Sequence, residues 1–210
     1  LSDIEYFISG DYESALGNYQ HSVDNNHDTA SIRYKIGYIN YVNGDTGAAL
    51  DSFIKTITEQ PSERHTLLAL GNTLAIRDST SAAQGYYEKL IELLDRERVT
   101  EGTIVAPLRE EQINLVELYG KTANNLGVTL YNLAKRNSNS TYNARAISLL
   151  SESIRAWDIL TRNEKTMVRM QGTNLAAQNL KYMTVPKNPS ETSFEPSLDR
   201  VIPMVIYGDD

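Results

Sequence analysis

The chain has 210 residues, 40% of them hydrophobic, with no cysteine and a net charge of −7. That length can bury a sizeable core, either as one large domain or as a small array. The acidic balance argues against a general affinity for nucleic acid or anionic membrane, since both need a basic surface. The lack of thiols excludes zinc–thiolate sites, disulfides and thiol catalysis.

Leu1 to Ile8 reads as the remnant of a helix broken at Gly10, with Tyr12 to Val23 as its partner. The start at Leu1, without Met, predicts a processed chain or a piece of a longer one. Ala30 to Pro61 reads as two antiparallel helices joined at Asn43-Gly44-Asp45 and stopped at Pro61. A third unit spans 64–97, with Asp78-Ser79 at its turn and a helix N-cap from Ser79 or Thr80. Val99 to Pro107 is a connector. Leu108 to Arg136 is helical, Asn137 to Asn143 is an expanded turn, and Ala144 to Leu160 returns with the sole tryptophan, Trp157. Asn163 to Tyr182 is a further amphipathic helix with Met167, Met170 and small residues at Gly172, Ala176 and Ala177. Beyond it the chain carries Pro186, Pro189, Pro196 and Pro203 and cannot be one helix. The apolar run Val201 to Tyr207 needs cover, so this tail is expected to dock on its own array or on a neighbouring molecule.

One spacing runs through these elements. Ala15, Ala49 and Ala83 each follow the last by 34 residues, and Tyr19, Phe53 and Tyr87 follow each alanine by four. Gly10-Asp11 and Gly44-Asp45 share the spacing, as do Gly37 and Gly71. Two helices cross closely only where one side chain is small, and an aromatic one turn later fills the adjoining gap. A period of 34 with two helices per unit is the tetratricopeptide pattern. On Gly37, Gly71, Gly127, the alanine and aromatic series and Pro61, the chain resembles the tetratricopeptide repeat family. The resemblance implies an all-α, right-handed α-solenoid of antiparallel helix pairs with an extended C-terminal tail. Residues 1–183 would be the array, with repeats at about 1–29, 30–63, 64–97 and 108–162 and a capping helix at 163–183. Residues 184–210 would be the tail.

In such arrays the first helix of each pair lines a concave groove. The helix from Ala30 carries Ile32, Ile36 and Ile39 on one stripe and Tyr34, Tyr38 and Tyr41 on another, about 200° away. The resemblance places the three tyrosines in the groove. Ile4 and Phe7 would continue it in the first repeat, Leu68 and Asn72 in the third, and Asn124 and Tyr131 in the fourth. Tyrosine suits a binding wall, with a large ring and one polar tip. The same rings would serve equally for packing against neighbouring helices or the tail. Some members hold a partner's C-terminal carboxylate with Lys, Asn and Arg. Of that set only Asn72 is present here, so a groove for an extended or helical peptide with apolar side chains is expected instead.

No chemical motif competes with this reading. His21, His27 and His65 lie outside metal-ligand spacing, and no nucleophile elbow or phosphate loop occurs. The Gly208-Asp209-Asp210 terminus lacks the hairpin that a polymerase metal motif needs. No catalytic residue, metal or cofactor is expected, and no apolar run approaches the roughly 18 residues of a membrane span. The expected function is a non-enzymatic scaffold binding a peptide or protein segment, with the tail a candidate for self-association. The alternative is a bacterial envelope-associated protein of the same fold that binds a small apolar ligand or docks a solute-binding protein. A composition rich in Asn, Ser, Thr and Tyr and without thiols favours an extracytoplasmic bacterial protein over a cytosolic one.

Overall fold

The computed structural model describes residue 3 and residues 5–97, 108–163, 167–185 and 195–199. The described residues are all-α. A single π-helical turn, Glu5–Ser9, precedes α1 (Tyr12–Asp24), α2 (Ala30–Val42), α3 (Thr46–Glu59), α4 (Arg64–Ile76), α5 (Thr80–Glu97), α6 (Glu110–Asn137), α7 (Ser140–Asn163) and α8 (Met167–Thr184). The chain divides into two compact units, one through Asp78 and one from Ser79.

In the first unit each helix packs on the next in sequence, and α4 also meets α2. The turns explain the starts. Gly10, Gly44 and Asp78 take left-handed backbone at φ +65°, +83° and +60°, each 34 residues after the last. Glycine does this without steric cost, and aspartate is among the few other residues that tolerate it. Asp11 and Asp45 follow the two glycines and accept hydrogen bonds from Ser14 N (3.1 Å) and Ala48 N (3.0 Å), capping α1 and α3. Glu63 caps α4 through its carboxylate, which accepts from the backbone N–H of His65 and Thr66.

The α2–α3 crossing closes on Gly37. A Cβ there would lie 2.6 Å from Phe53 Cε1, so the ring fills the space the missing side chain leaves. Ala15, Ala49 and Phe53 are fully buried, and Tyr19 nearly so. Arg33 at the start of α2 reaches Glu59 at the end of α3 (2.5 Å), as antiparallel packing requires.

In the second unit α5 packs on α6, α6 on α7, and α8 on both α6 and α7. Ala83 and Tyr87 are fully buried on α5. The α6–α7 pair is antiparallel and crosses closely twice. A Cβ at Gly127 would meet Leu150 Cγ at 3.0 Å and the Ala146 carbonyl at 3.2 Å, and one at Gly120 would meet Trp157 Nε1 at 3.0 Å. A Cβ at Gly172 on α8 would meet Trp157 Cε2. Trp157, fully buried, is therefore closely approached by two glycines on two helices.

Two boundaries differ from the sequence expectation. The turn after α6 is two residues, not the seven of Asn137 to Asn143. Ser138 takes a left-handed conformation (φ +51°), and the Asn139 side chain accepts from Thr141 N at 3.0 Å, so the helix restarts at once. Asn163 belongs to the end of α7 rather than the start of α8, and its side chain accepts from Leu108 N at 3.0 Å. The connector at 99–107, Ile4, the side chain of Phe7, and the tail at 186–194 and 200–210 lie outside the described residues.

Candidate functional site

Helix α6 is buried on every side from Leu118 to Leu130, and that run includes Lys121, Thr122, Asn124, Asn125 and Thr129. Buried polar groups must find partners or incur the full cost of desolvation. Thr122 Oγ1 donates back to the Leu118 carbonyl at 2.7 Å. Lys121, Asn124 and Asn125 stand at i, i+3 and i+4 and share one face of the helix. Asn179 on α8, also fully buried, joins them, donating from Nδ2 to Asn124 Oδ1 at 2.8 Å.

Residues 195–199, Glu-Pro-Ser-Leu-Asp, lie against this face. Ser197 N donates to Asn179 Oδ1 at 3.0 Å, and Ser197 O accepts from Asn179 Nδ2 at 2.9 Å and from Asn124 Nδ2 at 3.2 Å. Two residues on, Asp199 N donates to Asn125 Oδ1 at 2.6 Å and Asp199 O accepts from Asn125 Nδ2 at 3.1 Å. In an extended chain the N–H and C=O of one residue face the same side, and residues i and i+2 share it. The amides of Asn179 and Asn125 thus take the place of a neighbouring strand, each bonding one residue at both backbone groups. Asn124 Nδ2 also donates to Asn125 Oδ1 at 3.0 Å, which ties the two pairs together.

One side chain of the segment is bound as well. The Asp199 carboxylate meets Lys121 Nζ at 3.2 Å, both groups largely buried. Glu117 stands 4.0 Å from the same ammonium, and the Trp157 ring centroid lies 5.5 Å from it. Cation and ring attract through the ring quadrupole. Ser197 is exposed at its side chain, and Pro196 and Leu198 are half-buried. The seated segment therefore contributes no fully buried apolar side chain, unlike the apolar peptide expected from the sequence.

The expected groove residues fall in different surroundings. Asn124 is in the amide cluster just described. Tyr131, on the same helix, is half-buried, with its ring edge-on to Tyr182 (centroids 6.1 Å apart) and Lys135 Nζ 5.6 Å from its centroid. In the first unit Tyr34 is fully buried, 5.5 Å from the Phe53 centroid and 6.4 Å from His65, and burial raises its hydroxyl well above the usual phenol range. Tyr38 packs edge-on to Tyr6 at 5.7 Å and Tyr12 at 6.2 Å. Tyr41 hydrogen-bonds Asn72. Leu68 and Asn72 are fully buried. Tyr34 and Tyr38 thus serve as core rings in this structure.

Lys121, Asn125 and Asn179 were missed from the sequence. The signal for the first two was available, because Lys121-Thr122-Ala123-Asn124-Asn125, which includes the expected Asn124, interrupts an otherwise apolar stretch. Asn179 becomes visible only once α8 is placed. Among the described residues no cluster of three or more acidic or histidine side chains has the geometry to hold a metal ion, and no helix is long and apolar enough to cross a membrane.

A scan against models of known protein families finds no match, and a search of the curated proteins finds no relative.

Proposed function

We propose that the protein is a non-enzymatic interaction module that captures an extended peptide segment by its backbone, on the face formed by α6 and α8. The observation that carries this reading is the double pairing of Ser197 and Asp199 with Asn179 and Asn125. Backbone capture of an extended strand is a recurring mode of peptide recognition, in which main-chain bonds give affinity and side-chain contacts give selectivity. Here the amides sit on rigid buried helices, so binding orders little of the receptor.

The helical class we propose is tetratricopeptide-like, with right-handed stacking. It is supported by the 34-residue recurrence of left-handed Gly10, Gly44 and Asp78, the matching Asp11 and Asp45 caps and the Gly37–Phe53 crossing. The resident segment 195–199 then acts as an internal occupant that other segments must displace.

Selection of peptides from a displayed library against the immobilised full chain tests the proposal. Selected peptides should speed amide hydrogen exchange at Ser197 and Asp199, because they take over the asparagine amides. Peptides that bind while both amides keep their exchange rates would place recognition elsewhere and refute the assignment.

A further inference from the structure

Among the described residues, one side chain of the seated segment meets a charged group. Asn179, Asn124 and Asn125 contact main-chain atoms that every residue except proline presents in full. The Ser197 side chain is exposed, so that position is not read by burial. Asp199 differs. Its side chain is 12% exposed and its Oδ1 is 3.2 Å from Lys121 Nζ, itself 8% exposed. A buried ammonium needs a close anion, and Glu117, at 4.0 Å, is the more distant of the two carboxylates. Withdrawing the segment leaves Lys121 with the poorer partner, so any replacement that lacks an acid forfeits a desolvated ion pair.

Resting on the peptide-capture reading above, we propose that the partner is an extended acidic segment of another protein. It carries Asp two residues after the residue clamped by Asn179, and Lys121 is the selector for that acid. Residues 195–199 are the template for its chemistry. Pro196 and Leu198 are only half-buried, so a segment matching the main-chain bonds and the acid can compete without reproducing a deep apolar anchor.

Two fluorescein-labelled peptides decide this: Phe-Glu-Pro-Ser-Leu-Asp-Arg, and the same peptide with asparagine in place of aspartate. Each is titrated by fluorescence anisotropy into the full chain, into Asp199→Asn and into Asp199→Asn/Lys121→Met, with circular dichroism on every variant. In Asp199→Asn the internal competitor is weakened, and the acidic peptide should bind about tenfold or more tightly than its neutral twin. Lys121→Met should erase that ratio, and the unaltered chain should bind the acidic peptide more weakly than Asp199→Asn does. Should the double variant fail to fold, the ratio on Asp199→Asn decides alone. Equal affinity for both peptides on Asp199→Asn overturns the acidic selection while leaving backbone capture intact. Failure of both peptides to bind any folded variant overturns both. A concentration-dependent dimer formed by exchange of residues 195–199 would assign the face to a second copy of this chain and also overturn the proposal.

Discussion

Lys35 in the first unit and Lys121 in the second have matching surroundings. Both are buried, both face an aromatic ring (Tyr19 at 5.4 Å, Trp157 at 5.5 Å), and both pair with an aspartate distant in sequence, Asp3 at 2.6 Å and Asp199 at 3.2 Å. The aspartates differ. The Asp3 side chain is 63% exposed and also accepts from Tyr19 OH at 2.6 Å, so it closes the end of a tyrosine-rich core. Asp199 belongs to an extended segment whose main chain is gripped by asparagine amides at Ser197 and at Asp199 itself. The helix bearing Lys35 has Tyr34 and Tyr38 near it in sequence, each with a single hydroxyl that cannot bond a residue's N–H and C=O through separate atoms as an amide does. The helix bearing Lys121 supplies Asn124 and Asn125, which do. The first ion pair seals a core, whereas the second is set into an amide ladder that holds residues 195–199.

The largest expected effects fall on the aromatic anchors. Trp157→Ala should lower unfolding free energy by about 3–5 kcal/mol, and Phe53→Ala by a similar amount, read from urea denaturation. A loss below about 1 kcal/mol at Trp157 would mean that Gly120 and Gly172 do not close on that ring. Next is Asn179→Ala, which strands Ser197 N, leaves Ser197 O with Asn124 Nδ2 alone, and should cost about 1–3 kcal/mol. Its mark is a gain in exchange at the Ser197 amide with no change in helical content, which no substitution in the tyrosine core should reproduce.

A smaller effect is expected from pH at the Glu63 cap. Burial pushes this carboxyl up, but the hydrogen bond and charge of His65 and the bonds from Thr66 outweigh it, and it titrates below the ordinary glutamate range. A carboxyl lowered on folding stabilises fully above its unfolded pKa, about 4.3, and that stability is lost as pH falls through the folded value. Glu63→Gln should cost about 1 kcal/mol near neutral pH and flatten the acid limb of a melting-temperature profile. An acid limb as steep as the parent's would show that Glu63 is not the titrating group. The smallest change should come from Arg33→Gln, which loses exposed pairs to Asp28 and Glu59 and should cost no more than about 1 kcal/mol by denaturation.

The helix pairs of the first unit were legible because their determinants are local and periodic. Gly37, Ala49 and Phe53 are readable as a crossing, and Gly44-Asp45 as a turn and cap, from the types of residue alone. The turn after α6 was misread because Asn-Ser-Asn-Ser looks like a loop, yet one left-handed serine and one asparagine cap are enough to reverse the chain. The site was legible only in part. Asn124 was placed on the groove side by analogy with the first helices. Lys121 and Asn125 gain meaning only from a segment more than 70 residues away, and no periodicity reports a contact of that kind. Tyr34 and Tyr38 were ambiguous for the opposite reason, since a ring suited to binding is equally suited to a core.

Amide hydrogen exchange of the full chain, resolved at Ser197 and Asp199, tests the central claim most directly. Both amides donate to asparagine side chains here, so both should be protected in the parent chain and exchange near the unfolded rate in Asn125→Ala/Asn179→Ala while α6 keeps its own protection. Rapid exchange at both amides in the folded parent, or protection that survives the loss of the two asparagines, would contradict it.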